Sequence, residues 1–338
     1  MNFPRLLLTA LLAGATAAPA APSPDDQAKF LAGLAVKDPL LSPLCQNAGW
    51  STHAASLQKK WSGMETRQLA PARQWSAANP DLNRRTGAVF YPFSGPDALH
   101  ACTFFPKAST YILCGTEPVG SVPDITRMTP AQITADLTNL RTALEMMLAT
   151  HYFITKDMRV DLSRGTIHGT LPLLYIFLAR TGCTIRQVEV TPSQARIQFT
   201  GRGGKKQTLH YFKTDLSNGG GHEAFLSLCR QHAPGVTLVK SASYLMHSDG
   251  FSSIRNFLLS HSSVIIQDDT GIPYRFLNKE GWEVKLYGTY TGPIRLFSEY
   301  HQEDLAQAYA RTGGAPLGFA FGYFSQSSKG VLIQATRR

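Results

Sequence analysis

Apolar runs and helical patterns alternate along this chain, and the alternation is clearest from Ala88 onward. Residues 88–120 read as a strand, a polar turn, a short apolar helix, a second strand and an acidic turn. Residues 236–269 repeat that order, and in each stretch two acidic residues lie 20 positions apart. Any compact strand–helix–strand unit has about this length, so the equal spacing also suits two unrelated units. The alternation itself predicts parallel strands joined by helical crossovers.

The pattern before this region is helical. Residues 22–86 are rich in Ala, Ser, Gln and Pro, and a short pattern at 26–36 places its apolar residues on one face. Three tryptophans are spread through the segment, and tryptophans in a polar segment usually pack against a larger body. We therefore expect an extension that wraps the main domain.

Later segments add two core helices and several antiparallel strands. Thr129 is a suitable N-cap, with Gln132 at capping-box spacing, and 171–178 is an apolar helix too short to cross a bilayer. Period-two segments separated by Gly, Pro and Ser predict hairpins. These strand segments are 184–190, 195–200 and 207–214, and, at the end of the chain, 317–324 paired with 330–336.

The predicted fold class is therefore α/β. We expect a mostly parallel central sheet with helical crossovers, together with antiparallel hairpins and a helical N-terminal extension. The boundaries we assign are 1–20 for a signal peptide, 21–86 for the extension packed on the main domain, and 87–338 for a single α/β domain. A domain of that length can bury a substantial core.

Residues 1–20 have the pattern of a secretory signal peptide. Arg5 precedes an apolar run at 6–13, and small residues end in Ala18-Pro19-Ala20. The apolar run is shorter than the roughly 20 residues that a membrane anchor needs. This predicts cleavage near Ala20 and a secreted or periplasmic mature chain with no transmembrane anchor.

Charge and cysteine content narrow the class of protein. The formal net charge is +10, and removal of Arg5 with the signal peptide lowers it to +9. The basic residues are scattered and do not cluster with aromatics, so we expect no nucleic-acid partner. The five cysteines are too few for a disulfide scaffold, and a bridge such as Cys102 to Cys114 stays open, because connectivity cannot be deduced from sequence.

The candidate chemistry lies at the strand ends. Ligands of open α/β sheets bind beyond the carboxyl ends of parallel strands, where several polar turns should emerge together. The candidate catalytic residues in these turns are Asp97, Glu117, His247, Asp249, Asp268 and Asp269. Ser94, Asp215 and His222 are expected at the same edge. Such a set could hold a divalent cation, act as general acid and base, or hydrogen-bond a polar ligand, and the sequence leaves these open.

Each candidate also has a structural interpretation. Asp97 and Asp249 are placed to cap the helices that follow them. Asp268 and Asp269 are harder to explain in this way, because adjacent carboxylates repel each other unless a cation or solvent screens them. The sequence carries no nucleophile elbow, zinc-protease motif, P-loop or dinucleotide fingerprint.

Five blocks of the sequence resemble blocks in a group of uncharacterised exported bacterial proteins. The blocks are Tyr91-Pro-Phe-Ser-Gly-Pro-Asp97, Phe104-Phe105-Pro106, Glu117-Pro-Val-Gly120, Ser241-Ala-Ser-Tyr-Leu-Met-His247 and Gln267-Asp-Asp-Thr-Gly-Ile-Pro273. The resemblance covers most of the mature chain. It implies an exported α/β protein, and it supplies no activity and no role for any residue.

The expected function is that of an exported α/β hydrolase acting on a polar or anionic small substrate at the acidic sheet edge. The alternative is a non-catalytic protein of the cell envelope that binds a polar ligand or partner through the same edge. The cofactor is left unassigned, with a divalent cation as one candidate, and the oligomeric state is also left open.

Overall fold

The computed structural model describes residues 21–150, 152, 163, 165–323 and 330–338. Residues 1–20, predicted as a signal peptide, lie outside the described residues. Within them, nine strands form a single mixed sheet. The strands are β1 (Ala88–Tyr91), β2 (Thr110–Gly115), β3 (Thr184–Val190), β4 (Gln194–Thr200), β5 (Lys206–Lys213), β6 (Gly235–Val239), β7 (Ser262–Gln267), β8 (Trp282–Gly288) and β9 (Val331–Arg337).

Helices cover both faces of this sheet. The helices are α1 (Pro24–Leu31), α2 (Ala48–Met64), α3 (Ala70–Ala78), α4 (Pro80–Asn83), α5 (Ala98–Phe104), α6 (Pro130–Thr150), α7 (Leu171–Arg180), α8 (Glu223–Gln231), α9 (Ser252–His261), α10 (Tyr274–Leu277) and α11 (Glu303–Thr312). A π-helical turn, Glu65–Leu69, joins α2 to α3. The predicted α/β class is confirmed.

The middle of the sheet is parallel, and its two sides are antiparallel. The strand order is β3-β4-β5-β2-β1-β6-β7-β9-β8. Parallel pairing joins the five strands from β5 to β7, and antiparallel pairing adds β3 and β4 on one side and β9 and β8 on the other. The predicted helical crossovers are present between parallel strands, through α5 from β1 to β2 and through α9 from β6 to β7.

The two crossovers lead in opposite directions. From β1 the chain crosses to β2 on one side, and from β6 it crosses to β7 on the other side. Strands β1 and β6 are neighbours, so the loops that follow them diverge and leave a crevice between their carboxyl ends. In open α/β sheets this switch point is where ligands bind.

The strand alternation of β1 divides the core into two hydrophobic clusters. Val89 and Tyr91 join one cluster, whereas Ala88 and Phe90 join the other, as expected when successive side chains point to opposite faces. Helices α1, α2, α6 and α7 contribute to the cluster that contains Val89. The N-terminal helices are therefore part of the same core as the sheet.

Local capping signals explain where several helices begin. Thr129 N donates to Gln132 Oε1 at 2.8 Å, and Gln132 N donates to Thr129 Oγ1 at 3.3 Å, so the predicted capping box precedes α6. Helix α1 is shorter than the 26–36 pattern predicted. It ends at Leu31, because Gly33 adopts a left-handed backbone with φ of 62° and turns the chain away.

The predicted terminal hairpin is wrong. Residues 330–336 do form a strand, but β9 pairs with β7 and β8, and residues 317–323 form no strand. Phe319 and Phe321 are buried against Phe104, at centroid distances of 5.6 and 5.5 Å. Their alternation reflects packing of an irregular segment onto the core, which sequence periodicity alone does not distinguish from a strand.

The five cysteines are free thiols. Cys102 packs against one hydrophobic cluster and Cys114 lies inside the other, so the bridge left open between them is absent. Within the described ranges, no helix combines the length and the apolar character needed to cross a membrane.

We expect Phe30→Ala to destabilise the whole molecule. The Phe30 side chain is fully buried, and its loss should cost about 3–5 kcal/mol of unfolding free energy. Urea unfolding would be followed by far-UV circular dichroism and by tryptophan fluorescence, because three of the four tryptophans lie in the N-terminal segment. Both signals should shift together, and Leu296→Ala, at a side chain 75% exposed, should shift neither. A fluorescence transition that alone moves to lower urea would contradict a shared core.

Candidate functional site

The loops after β1 and β6 flank the crevice and carry unusual backbone geometry. Phe93 follows β1 with φ of 58°, and Ser241, Ser243 and Tyr244 follow β6 with φ of 54°, 51° and 55°. Among the described residues, these four are the complete set of non-glycine residues with a left-handed backbone. Each such conformation costs roughly 1–2 kcal/mol, so the surrounding contacts must hold it.

A buried ionic cluster lies beneath these loops. Lys240 is 4% exposed, and its ammonium group interacts electrostatically with Asp97 and Asp268, which are 4% and 0% exposed. Burial lowers the pKa of Lys240, whereas the two carboxylates raise it. The three side chains come from the ends of β1, β6 and β7, so the cluster joins three adjacent strands on one edge of the sheet.

Asp97 binds its neighbours on both sides. It caps α5 by accepting from His100 N at 3.1 Å, and it accepts from Tyr91 Oη at 2.8 Å. The His100 ring contributes Nδ1 at 2.8 Å from Asp97 Oδ2. Burial raises the pKa of Asp97, but His100 and Lys240 together hold it below its ordinary value. The capping interpretation of Asp97 is thus correct, and the same carboxylate also belongs to the ionic cluster.

His100 is neutral in this arrangement. Burial and the Lys240 charge outweigh the attraction of Asp97 and lower the pKa of the imidazole. A carboxylate can only accept, so the proton resides on Nδ1 and Nε2 is an acceptor. His100 Nε2 is buried and has no hydrogen-bond partner in the described part of the chain.

Asp268 and Asp269 are oriented differently although they are adjacent. Asp268 accepts from Ser241 N at 2.8 Å, from Thr270 N at 3.1 Å and from Thr270 Oγ1 at 2.5 Å. Asp269 accepts from Tyr244 Oη at 2.5 Å. Burial raises the pKa of both carboxyls, and the charge of Asp268 helps to raise that of Asp269 to about 7. Asp268 has more hydrogen-bond donors than Asp269 to offset its burial, and it also lies beside Lys240.

A cavity of about 370 Å³ opens between the two loops. Its polar wall includes Glu117, Asp215 and Ser241, and its apolar wall includes Phe93 and Phe251. At its edge a Cβ on Gly115 would overlap the Glu117 carboxylate and lie 2.9 Å from Gly95 Cα, so glycine permits the close approach of two loops there. Of the six candidate catalytic residues, Glu117 alone lines this cavity.

Asp249 points into solvent, whereas His247 lies near the backbone of Asp269. The Asp249 side chain is fully exposed, 3.8 Å from Arg255 Nη2, and does not cap α9. The cap of α9 comes from Asn218, whose Oδ1 accepts from Ser253 N at 3.0 Å. His247 packs edge-on against Tyr244 and Tyr300, and burial lowers its pKa to about 4.

The segment that was predicted as a terminal strand covers the cluster. Gly322 has φ of 78°, and a Cβ there would overlap Asp268. Tyr323 Oη donates to Ser241 O at 3.0 Å and lies 3.1 Å from Ser243 Oγ. The left-handed turn after β6 is thus held from below by Asp268 and from above by Tyr323.

The sequence did not single out Lys240, Tyr91, His100 or the hydroxyl of Ser241. The strand that opens the 236–269 stretch ends at Val239, so Lys240 is the first residue of the loop. A lysine directly after a short apolar run, followed by Ser-Ala-Ser, was the available signal for a loop at this position. Within the described residues, no group of three or more His, Cys, Asp or Glu side chains is arranged to hold a metal ion.

We expect Asp269→Asn to stabilise the protein at alkaline pH and to have little effect in acid. A carboxyl whose folded pKa is raised contributes stability that is complete below the unfolded pKa, near 4, and is lost as pH rises through about 7. The amide avoids that loss and keeps an acceptor for Tyr244 Oη. Between pH 5 and pH 8 the advantage of the variant should grow by about 1–3 kcal/mol in urea unfolding.

The matched control for this experiment is Asp249→Asn, which neutralises an exposed carboxylate. Its difference from the wild type should not change with pH by more than a few tenths of a kcal/mol. An Asp269→Asn advantage that is the same at both pH values would show that Asp269 does not carry the raised pKa.

The chain matches no protein-family model. Comparisons with curated proteins and with solved structures also gave no match. No role is transferred to any residue from another protein, and the crevice is identified as the candidate site by its own geometry.

Proposed function

We propose that this protein binds a small polar molecule in the cavity between the loops after β1 and β6. The observation that carries the proposal is the concentration of left-handed, non-glycine backbone on these two loops. Strained conformations of this kind persist where surrounding contacts enforce them, and they cluster at ligand sites. The position at the switch point of the sheet supports the same conclusion.

The lining of the cavity suits a molecule with both polar and apolar parts. Phe93 and Phe251 lie edge to face, with centroids 5.9 Å apart, and form an apolar wall. Asp215 and Glu117, the latter also accepting from Tyr211 Oη at 3.4 Å, contribute carboxylates to the lining. A volume of about 370 Å³ falls in the range of ordinary small-molecule sites. Two acidic side chains favour a ligand rich in hydrogen-bond donors, such as hydroxyl or amine groups.

The ionic cluster supports the site without being its contact surface. The carboxylates of Asp97 and Asp268 are occupied by donors from the protein, and neither residue lines the cavity. In this proposal Asp268 fixes the turn at Ser241, and Asp97 balances the charge of the adjacent Lys240. The contacts to the ligand are assigned to the loop residues and to Glu117.

Hydrolysis of the bound molecule is the second candidate function. It is favoured by Ser241, which follows a parallel strand in a left-handed turn and lines the same cavity as Glu117. A serine on a strained turn after a strand is a geometry that hydrolases use to present a nucleophile. Ser241 Oγ has no hydrogen-bond partner among the described residues, so a base would have to meet it in the substrate complex.

Binding would be tested with Leu245→Trp, which enlarges a partly exposed side chain at the cavity wall. A panel of monosaccharides, amino sugars and amino acids would be screened by thermal shift. At least one compound should raise the Tm of the wild type, and the variant should lose that shift. Leu296→Trp adds the same ring at an exposed position outside the cavity and should keep it. A shift that survives in Leu245→Trp would place binding elsewhere, and the absence of any shift would count against the proposal.

Turnover would be measured for the wild type and for Ser241→Ala. The substrates would be the acetate, phosphate and glucoside derivatives of 4-nitrophenol. If the protein is a hydrolase with Ser241 as nucleophile, Ser241→Ala should lower kcat by about 100-fold or more while thermal shifts persist. Ligand binding without turnover of any of these substrates would support the binding function and contradict the hydrolase function.

We further propose that the protein is exported, on the basis of the signal-peptide pattern of residues 1–20. Expression in a bacterial host with a periplasm should yield a periplasmic product. Its mass should be that of a chain whose first residue is near Ala21. Leu8→Arg, which interrupts the apolar run, should leave a precursor of full mass in the cytoplasm. An uncleaved product of the unaltered sequence would contradict the proposal.

A further inference from the structure

A second cavity lies at the opposite edge of the sheet. Its volume is about 430 Å³, and it includes Tyr111 near the start of β2 and Gln207 near the start of β5. The crevice cavity reaches Gly115 at the other end of β2. Tyr111 and Gly115 are four positions apart along β2, which corresponds to about 13 Å along the strand. The two cavities share no lining residue.

The charge around this second cavity is positive. It is lined by Arg73, Arg180 and Arg202 but by a single acidic residue, Glu65. Glu65 is already paired with Arg73. In the described part of the chain, no carboxylate forms an ion pair with Arg180 or Arg202. Two arginine charges at the cavity therefore lack a counter-charge from those residues.

Arg180 is held in place by neutral groups. Its Nε donates to Ala32 O at 2.8 Å, its Nη1 donates to Gln58 Oε1 at 2.5 Å, and its guanidinium lies 5.9 Å from the centre of the Trp61 ring. Partial burial lowers its pKa to about 10. Nη2 is buried and has no partner among the described residues. A fixed, partly desolvated cation with an unused donor is a favourable partner for an anion.

A hydroxyl adds a second unused polar group to the same wall. Thr103, on α5, lines the cavity and is 2% exposed, and its Oγ1 has no hydrogen-bond partner within the described residues. Buried hydroxyls normally have one, since leaving a polar atom unsatisfied costs roughly 1–3 kcal/mol.

Part of the wall is formed by rings and thiols. Trp61, Pro106, Tyr111, Cys102 and Cys183 line it. The Tyr111 hydroxyl is already used, because it donates to Phe105 O at 2.8 Å. The wall therefore offers rings and thiols for contact with an apolar body, while the arginines supply the polar recognition.

We propose that this cavity is a second binding site, which takes a small carboxylate with a compact apolar body. The carboxylate pairs with Arg180 and Arg202, Thr103 Oγ1 supplies a further hydrogen bond, and the apolar body packs on Tyr111 and Pro106. The site is independent of the crevice and of the function proposed for it.

Isothermal titration with sodium benzoate tests the proposal. Benzoate should bind, and benzyl alcohol, which has the same ring without the charge, should bind at least about tenfold more weakly. Inorganic phosphate, a charge without a ring, should also bind more weakly than benzoate. Equal affinity for benzoate and benzyl alcohol, binding of phosphate alone, or no binding of any probe would each overturn it.

Variants locate the binding. Arg202→Ala removes an exposed side chain and should weaken benzoate binding by about five- to tenfold with no loss of stability. Arg180→Gln should weaken it further, and Thr103→Val should weaken it while the fold stays intact. Arg230→Ala, on α8, removes an exposed arginine outside the cavity and should have no effect. Leu245→Trp, which blocks the crevice, should also leave benzoate binding unchanged. Affinity that survives in both Arg202→Ala and Arg180→Gln would overturn the assignment.

Discussion

The buried charge of Lys240 is the constraint around which the candidate site is built. An ammonium group removed from water is stable only where anions and hydrogen bonds replace its hydration. Asp97 and Asp268 provide the anions, and they come from the ends of the two strands that flank β6. The three strand ends can therefore adopt few relative positions, because displacement of any one of them would leave a charge buried without its partner.

This arrangement separates the residues that hold the site from those that face a ligand. The backbone N–H of Ser241 is bound by Asp268, and its carbonyl by Tyr323, so the turn keeps its left-handed form. The carboxylates that fix the turn have no remaining capacity to coordinate a substrate. The Ser241 hydroxyl, by contrast, has no hydrogen-bond partner among the described residues, although its backbone is held in place, as preorganised binding sites require.

Sequence patterns predicted helices and strands well where a local signal, such as an apolar run or a helix cap, was sufficient to specify the element. The capping box before α6 and the apolar runs of β1, β6 and β7 are local signals, and the crossovers follow from their order. The tail was mispredicted, because Phe319 and Phe321 alternate like a strand while their burial depends on contacts with Phe104, more than 200 residues earlier.

The crevice lies at the sheet edge where the sequence placed its candidate residues, although the residues found there are partly different. Parallel strands place their carboxyl ends together, so Asp97, Asp268 and Glu117 were found by topology. Asp97 and Asp249 occupy matching places in the two strand–helix–strand stretches, yet one is buried and the other is exposed. Lys240 was missed, because its place after an apolar run indicates a loop but not burial, and burial of a lysine depends on partners that are distant in sequence.

The position of β9 determines the order in which the molecule can be completed. It is the last strand in the chain, yet it lies inside the sheet, between β7 and β8. Until it arrives, β7 has one unpaired side and β8 has no neighbour in the sheet. Phe321 is not part of a strand, but its carbonyl accepts from Val331 N at 3.3 Å. This bond ties the segment that covers Asp268 to the start of β9. Without β9, therefore, β8 would have no partner in the sheet, and the Gly322 cover over Asp268 would lose its anchor at Val331.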